Sequence, residues 1–78
     1  ERLPDVILMD IVMPGMNGYQ ATRRLAQDPA TASIPILIIS TKTQEADRVW
    51  GLRQGAVQYL TKPVSEQELV AAVRAALG

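Results

Sequence analysis

The stretch that most constrains this chain is Val6-Ile7-Leu8-Met9-Asp10-Ile11-Val12-Met13-Pro14-Gly15, a continuous apolar run that carries one carboxylate and then breaks into a Pro-Gly turn. A run this apolar and rich in β-branched residues is too short for a buried helix. It reads as a strand covered on both faces, the kind found in parallel sheets. An ionised group in such a strand belongs at its end, and in open parallel sheets the carboxyl ends of the strands form the crevice where ligands bind. That places Asp10 for chemistry. The competing role for a lone Asp at this point is to cap a turn.

The rest of the chain repeats the pattern. The first strand spans Val6 to Met9 or Asp10, after a polar lead-in containing Pro4. Pro14, Gly15, Asn17 and Gly18 make a loop, and from about Tyr19 to Gln27 the apolar positions fall at helical spacing, with Ala21, Thr22, Leu25 and Ala26 on one stripe. Asp28-Pro29 ends that helix, because the residue before a proline avoids the helical region. Ile36-Leu37-Ile38-Ile39 is a second all-apolar strand that ends in the hydroxyl residues Ser40 and Thr41. Thr41 or Thr43 is placed to cap the next helix, Gln44 to Gln54, whose expected stripe is Ala46, Val49, Trp50 and Leu52, with Gly55 as its stop. Val57 to Thr61 forms a third strand, followed by Lys62-Pro63. Ser65 and Glu68 form a capping box that opens a last helix with Leu69, Val70, Val73, Ala76 and Leu77 at helical spacing. Strand and helix alternate three times, which implies right-handed crossovers and a three-stranded parallel sheet of the α/β class.

Composition removes several functions. With 78 residues the chain makes one small domain. Eight basic residues balance eight acidic ones, so no positive field points to nucleic acid or to a membrane surface. The absence of cysteine and histidine removes disulfides, thiolate metal sites and His-based catalytic triads. No apolar run reaches membrane-spanning length and no signal peptide is visible, so the expected compartment is the cytoplasm.

Because the strands run parallel, their carboxyl ends line one edge of the sheet and bring together Asp10, Ser40-Thr41 and Thr61-Lys62-Pro63. A carboxylate can act as a nucleophile toward a phosphoryl group and form an acyl phosphate. The charge on the phosphoryl oxygens then needs donors and cations, which Lys62, Ser40 and loop N–H groups near Ile11 can supply. Singly, each residue has a plainer role: a solvated strand end for Lys62, turn chemistry for Ser40, half-buried packing for Tyr59. Their joint placement at one edge argues for the chemical role.

The run Met9-Asp10-Ile11-Val12-Met13-Pro14-Gly15-Met16-Asn17-Gly18, followed by Ile36-Leu37-Ile38-Ile39-Ser40-Thr41, Gly55-Ala56 and Tyr59-Leu60-Thr61-Lys62-Pro63, closely resembles the receiver domains of bacterial response regulators. The likeness covers essentially the whole chain and is similar in look to single-domain receivers of twitching motility and chemotaxis. It implies a partial flavodoxin-like (βα)5 fold and a signalling module rather than an enzyme. Under this resemblance Asp10 accepts phosphate from a sensor histidine kinase, and the backbone carbonyl of Val12 joins Asp10 in holding magnesium. Ser40 is the switch hydroxyl, Lys62 the ion-pair partner of the phosphoryl group, and Tyr59 the switch aromatic. Lys62-Pro63 is expected to be a cis peptide. A downstream protein is expected to dock on the face formed by the second helix, third strand and last helix.

Against the family pattern, residues 1–78 correspond to the C-terminal part of a receiver, from its third strand to its last helix. The acidic pair that would complete a magnesium site has no counterpart here, so metal binding and phosphoryl transfer are expected to be impaired in the fragment. The first strand is expected to present an open apolar edge through which two copies could pair as a homodimer. The alternative function is a structural or interaction module, a degenerate or engineered half-receiver that self-associates. A nucleotide- or flavin-binding enzyme fits poorly, because no Gly-rich phosphate loop follows any strand.

Overall fold

The computed structural model describes residues 3–11 and 17–78. Within them the elements alternate as β1 (Ile7–Asp10), α1 (Gly18–Gln27), β2 (Ile36–Ser40), α2 (Glu45–Arg53), β3 (Gln58–Thr61) and α3 (Glu66–Leu77). The strands form one parallel sheet in the order β1-β2-β3, with Asp10 opposite Ile39 and Ser40 opposite Thr61. Both crossovers step in the same direction across the sheet, so right-handed connections lay α1 and α2 on the same face.

On that face Met9, Ile11, Ile36, Ile38 and Ala56 form the buried core, with Tyr19, Leu25, Leu52 and Tyr59 packed against it. Leu37 points to the opposite face and is fully buried, and α3 is the remaining helix available to cover it. Two-sided burial therefore holds for β2, the central strand. It does not hold for β1: Leu8 is 48% exposed. The reason is position, since β1 has one strand neighbour among the described residues and forms an edge of the sheet, as its open-edge reading anticipated.

The helix ends follow local chemistry. Asn17 caps α1 by accepting from Gln20 N–H at 2.8 Å, and Asp28, extended at ψ 122° before Pro29, ends it. Thr22 lies on the expected buried stripe and is fully buried, its hydroxyl donating to the Gly18 carbonyl at 2.7 Å. The Ser65/Glu68 capping box of α3 is complete.

α2 departs from expectation. Its N-cap is Gln44, which makes no side-chain capping bond, so neither Thr41 nor Thr43 serves as the cap. Its buried residue is Gly51, and Ala46, Val49 and Trp50 are exposed, Trp50 by 51%. A Cβ on Gly51 would lie 2.9 Å from Ile38 Cδ1 and 3.0 Å from Tyr59 Cδ2, so the helix approaches the sheet at its residue without a side chain. On α3, similarly, Ala72 is buried, whereas Val70 and Leu77 of the expected stripe are exposed.

Candidate functional site

The carboxyl ends of the three strands do share one edge. Asp10 is the last residue of β1. The start of α1 is laid directly against it: Gly18 N–H donates to the Ile11 carbonyl at 2.8 Å, and a Cβ on Gly18 would collide with the Asp10 carbonyl oxygen and lie 2.7 Å from Ile11 Cα. Only glycine permits that approach, and it fixes where β1 ends.

Lys62 reaches Asp10 from the far edge strand. Its N–H donates to the Ser40 carbonyl at 2.7 Å, anchoring its backbone beside the end of β2. Its Nζ lies 2.9 Å from Asp10 Oδ2. Both side chains stay accessible, Lys62 at 42% and Asp10 at 48%. Lys62-Pro63 is a cis peptide, as the resemblance implied.

Ser40 occupies a different environment. It is 1% exposed, and its Oγ accepts from Lys42 N–H at 3.0 Å. Register places Asp10 opposite Ile39, one position short of Ser40, so strand alternation turns Ser40 toward the face carrying α1 and α2. Tyr59, half-buried on that same face, donates its hydroxyl to the Lys42 carbonyl at 3.0 Å. The four expected side chains therefore form two linked groups: Asp10 with Lys62 in the open, and Ser40 with Tyr59 beneath, joined through the backbone of Lys42.

Val12, expected to offer a carbonyl to a metal, lies outside the described residues. Among the described residues no three His, Cys, Asp or Glu side chains cluster as metal ligands. Magnesium requires near-octahedral oxygen coordination, and the described residues contribute the Asp10 carboxylate alone. They do not by themselves make a magnesium site.

Sequence reasoning missed two participants. Lys42 acts through its main chain, for which residue type is no signal. Tyr19, in α1, donates its hydroxyl to the Asp47 carbonyl at 3.3 Å, and burial, together with the neighbouring Tyr59 hydroxyl, pushes its pKa up to about 12. An aromatic in the first turn of an amphipathic helix is indistinguishable from ordinary core packing in a sequence.

An accessible carboxylate at a parallel strand end, salt-bridged to an ammonium from another strand end, is a site where an acyl anhydride could form beside a cation that balances its charge. The comparisons place the chain in a class of signalling domains. Residues 1–74 match the family model for the response regulator receiver domain, and the chain belongs to that family. It is 61% identical over 77 residues to protein PilH of Pseudomonas aeruginosa, covering 99% of this chain and 64% of PilH. It is 46% identical over 72 residues to the response regulator PleD of Caulobacter vibrioides, covering 92% of this chain and 16% of PleD. The receiver domain of Francisella response regulator 1452 superposes with a TM-score of 0.86 at 30% identity, covering 97% of this chain and 61% of that one. The chain thus spans less than two thirds of the length of each of these relatives. Receiver domains are signalling modules that work with histidine kinases and output domains, and as a class they bind magnesium at the site of phosphorylation.

Proposed function

We propose that this chain is the third-strand-to-last-helix part of a receiver whose phosphoacceptor is Asp10. The observation that carries the reading is the 2.9 Å pair between Asp10 Oδ2 and Lys62 Nζ at the strand ends. In the proposed reaction a carboxylate oxygen of Asp10 attacks the phosphorus of a phosphohistidine on the kinase. The O–P bond forms as the N–P bond breaks, and the histidine nitrogen keeps the electron pair. Lys62 stays beside the new phosphoryl group and balances its charge. Ser40 is the hydroxyl that responds, and Tyr59 the aromatic that follows it through Lys42. The readout is a change in the face formed by α2, β3 and α3, where a downstream protein docks. The module is cytoplasmic and has no enzymatic activity of its own. No helix among the described residues is long and apolar enough to cross a membrane. The open edge of β1 is the surface through which two copies would pair.

Incubation with acetyl phosphate and magnesium, followed by intact-mass measurement, tests the assignment. The reading predicts a phosphoryl adduct of low yield on the parent chain, in keeping with impaired metal binding, and none on Asp10→Asn. An adduct of equal yield on both would assign the acceptor elsewhere.

A further inference from the structure

The connection between β2 and α2 is held by three hydroxyls, each from a different element. Ser40 Oγ, at the end of β2, accepts from Lys42 N–H at 3.0 Å. The Tyr59 hydroxyl, from β3, donates to the Lys42 carbonyl at 3.0 Å. The Tyr19 hydroxyl, from α1, donates to the carbonyl of Asp47 in the first turn of α2 at 3.3 Å. Lys42 is therefore fixed through both of its main-chain groups, and the start of α2 is fixed five residues later.

The two tyrosines also pack against the same buried core. The Tyr59 ring is wedged as well, with its Cδ2 3.0 Å from where a Cβ on Gly51 of α2 would stand. A movement of that ring must alter the seating of α2, whose first turn Tyr19 holds.

We propose that Tyr19 is a positioning residue of the switch: its hydroxyl and that of Tyr59 act as one coupled latch on the Ser40-to-α2 connection, passing a change at Ser40 to the first turn of α2. The chain of cause is short. If Ser40 turns its hydroxyl toward a group on Asp10, Lys42 N–H loses its acceptor geometry. Tyr59 then follows the Lys42 carbonyl, and the displaced connection shifts the Asp47 carbonyl that Tyr19 holds. This rests on Asp10 being the phosphoacceptor.

The test is an amide-exchange cycle by NMR on the full chain, comparing parent, Tyr19→Phe, Tyr59→Phe and the double variant, each of which keeps both rings. The amides of Asp47 and Arg48, which close the first turn of α2 on Gln44, are the reporters. Each single change is expected to speed their exchange roughly two- to tenfold, the range of one lost hydrogen bond. The double variant is expected to be no faster than the faster single. A double variant as fast as the product of the two singles would mean independent hydroxyls and would overturn the coupling.

The same samples are then given magnesium and beryllofluoride as the phosphoryl mimic. Bound fluorine with shifted Asp47 and Arg48 signals in the parent, and bound fluorine without that shift in Tyr19→Phe, supports the latch. Bound fluorine with the full shift in both overturns it while leaving Asp10 as acceptor. If no fluorine is bound in the parent, the exchange cycle alone decides: non-additive hydroxyls support the latch and additive ones overturn it.

Discussion

Lys62 Nζ and Asp10 Oδ2 meet at 2.9 Å across a separation of 52 residues. The pair exists because β1, β2 and β3 run parallel and end at one edge, so residues far apart in sequence share a single small volume. With both side chains more than one-third exposed, water screens the attraction, and such a pair contributes at most about 1 kcal/mol to stability. Lys62→Met should therefore leave the thermal midpoint within a few degrees of the parent. Its phosphoryl uptake from acetyl phosphate, read by intact mass against time, should fall about tenfold or more, as expected when a cation is removed from a developing charge. Unchanged uptake would remove Lys62 from the site.

Gly18 sets the distance between α1 and the strand end that carries Asp10. An added methyl would overlap the Asp10 carbonyl, which is main chain and cannot swing aside. Gly18→Ala is expected to cost about 1–3 kcal/mol, the usual range for overpacking, measured as a lowered urea midpoint at unchanged slope. It should also move the Asp10 amide resonance, because relief of the clash displaces the end of β1.

Tyr19 makes stability depend on alkaline pH in a definite direction. Its hydroxyl holds its proton up to about 12 in the folded chain, against 10.0 for an ordinary tyrosine. The folded-state value is raised, so this contribution is complete below about pH 10 and is lost as pH rises through about 12. Urea midpoints measured between pH 9 and 12 should fall less steeply for Tyr19→Phe than for the parent.

The Ser65/Glu68 capping box should behave as a local, additive feature. Ser65→Ala removes the acceptor for Glu68 N–H at the start of α3 and is expected to destabilise the chain by about 1 kcal/mol. Ser65→Asp should restore most of that loss, as checked by thermal denaturation of the three proteins.

Much of this architecture is written in local pattern. The apolar strands, the Asp28-Pro29 stop, the Ser65/Glu68 box and the positive φ of 117° at Gly55 follow from residue type and spacing, each decided by chemistry within a few residues. The strand-end placement of Asp10, Ser40 and Lys62 was legible too, because parallel topology follows from strand-helix alternation. What was not legible depends on tertiary approach. The seated face of α2 is chosen by the missing side chain of Gly51, which no hydrophobic periodicity records, so Trp50 and Val49 stand exposed where their apolar character suggested burial. Leu8 is exposed because β1 is an edge, a property of the sheet rather than of the strand. Lys42 links Ser40 to Tyr59 through main-chain groups, which every residue but proline carries in full.

The account turns on the chemical identity of the group formed at Asp10, and borohydride trapping measures it directly. An acyl phosphate on an aspartate is reduced by borohydride to homoserine, whereas a phosphate ester on a hydroxyl is not. After treatment with acetyl phosphate and magnesium, reduction and peptide mass spectrometry, the account predicts homoserine at position 10 in the parent chain and its loss in Asp10→Asn. Phosphate recovered on Ser40 or another hydroxyl, with unmodified aspartate at position 10, would contradict it.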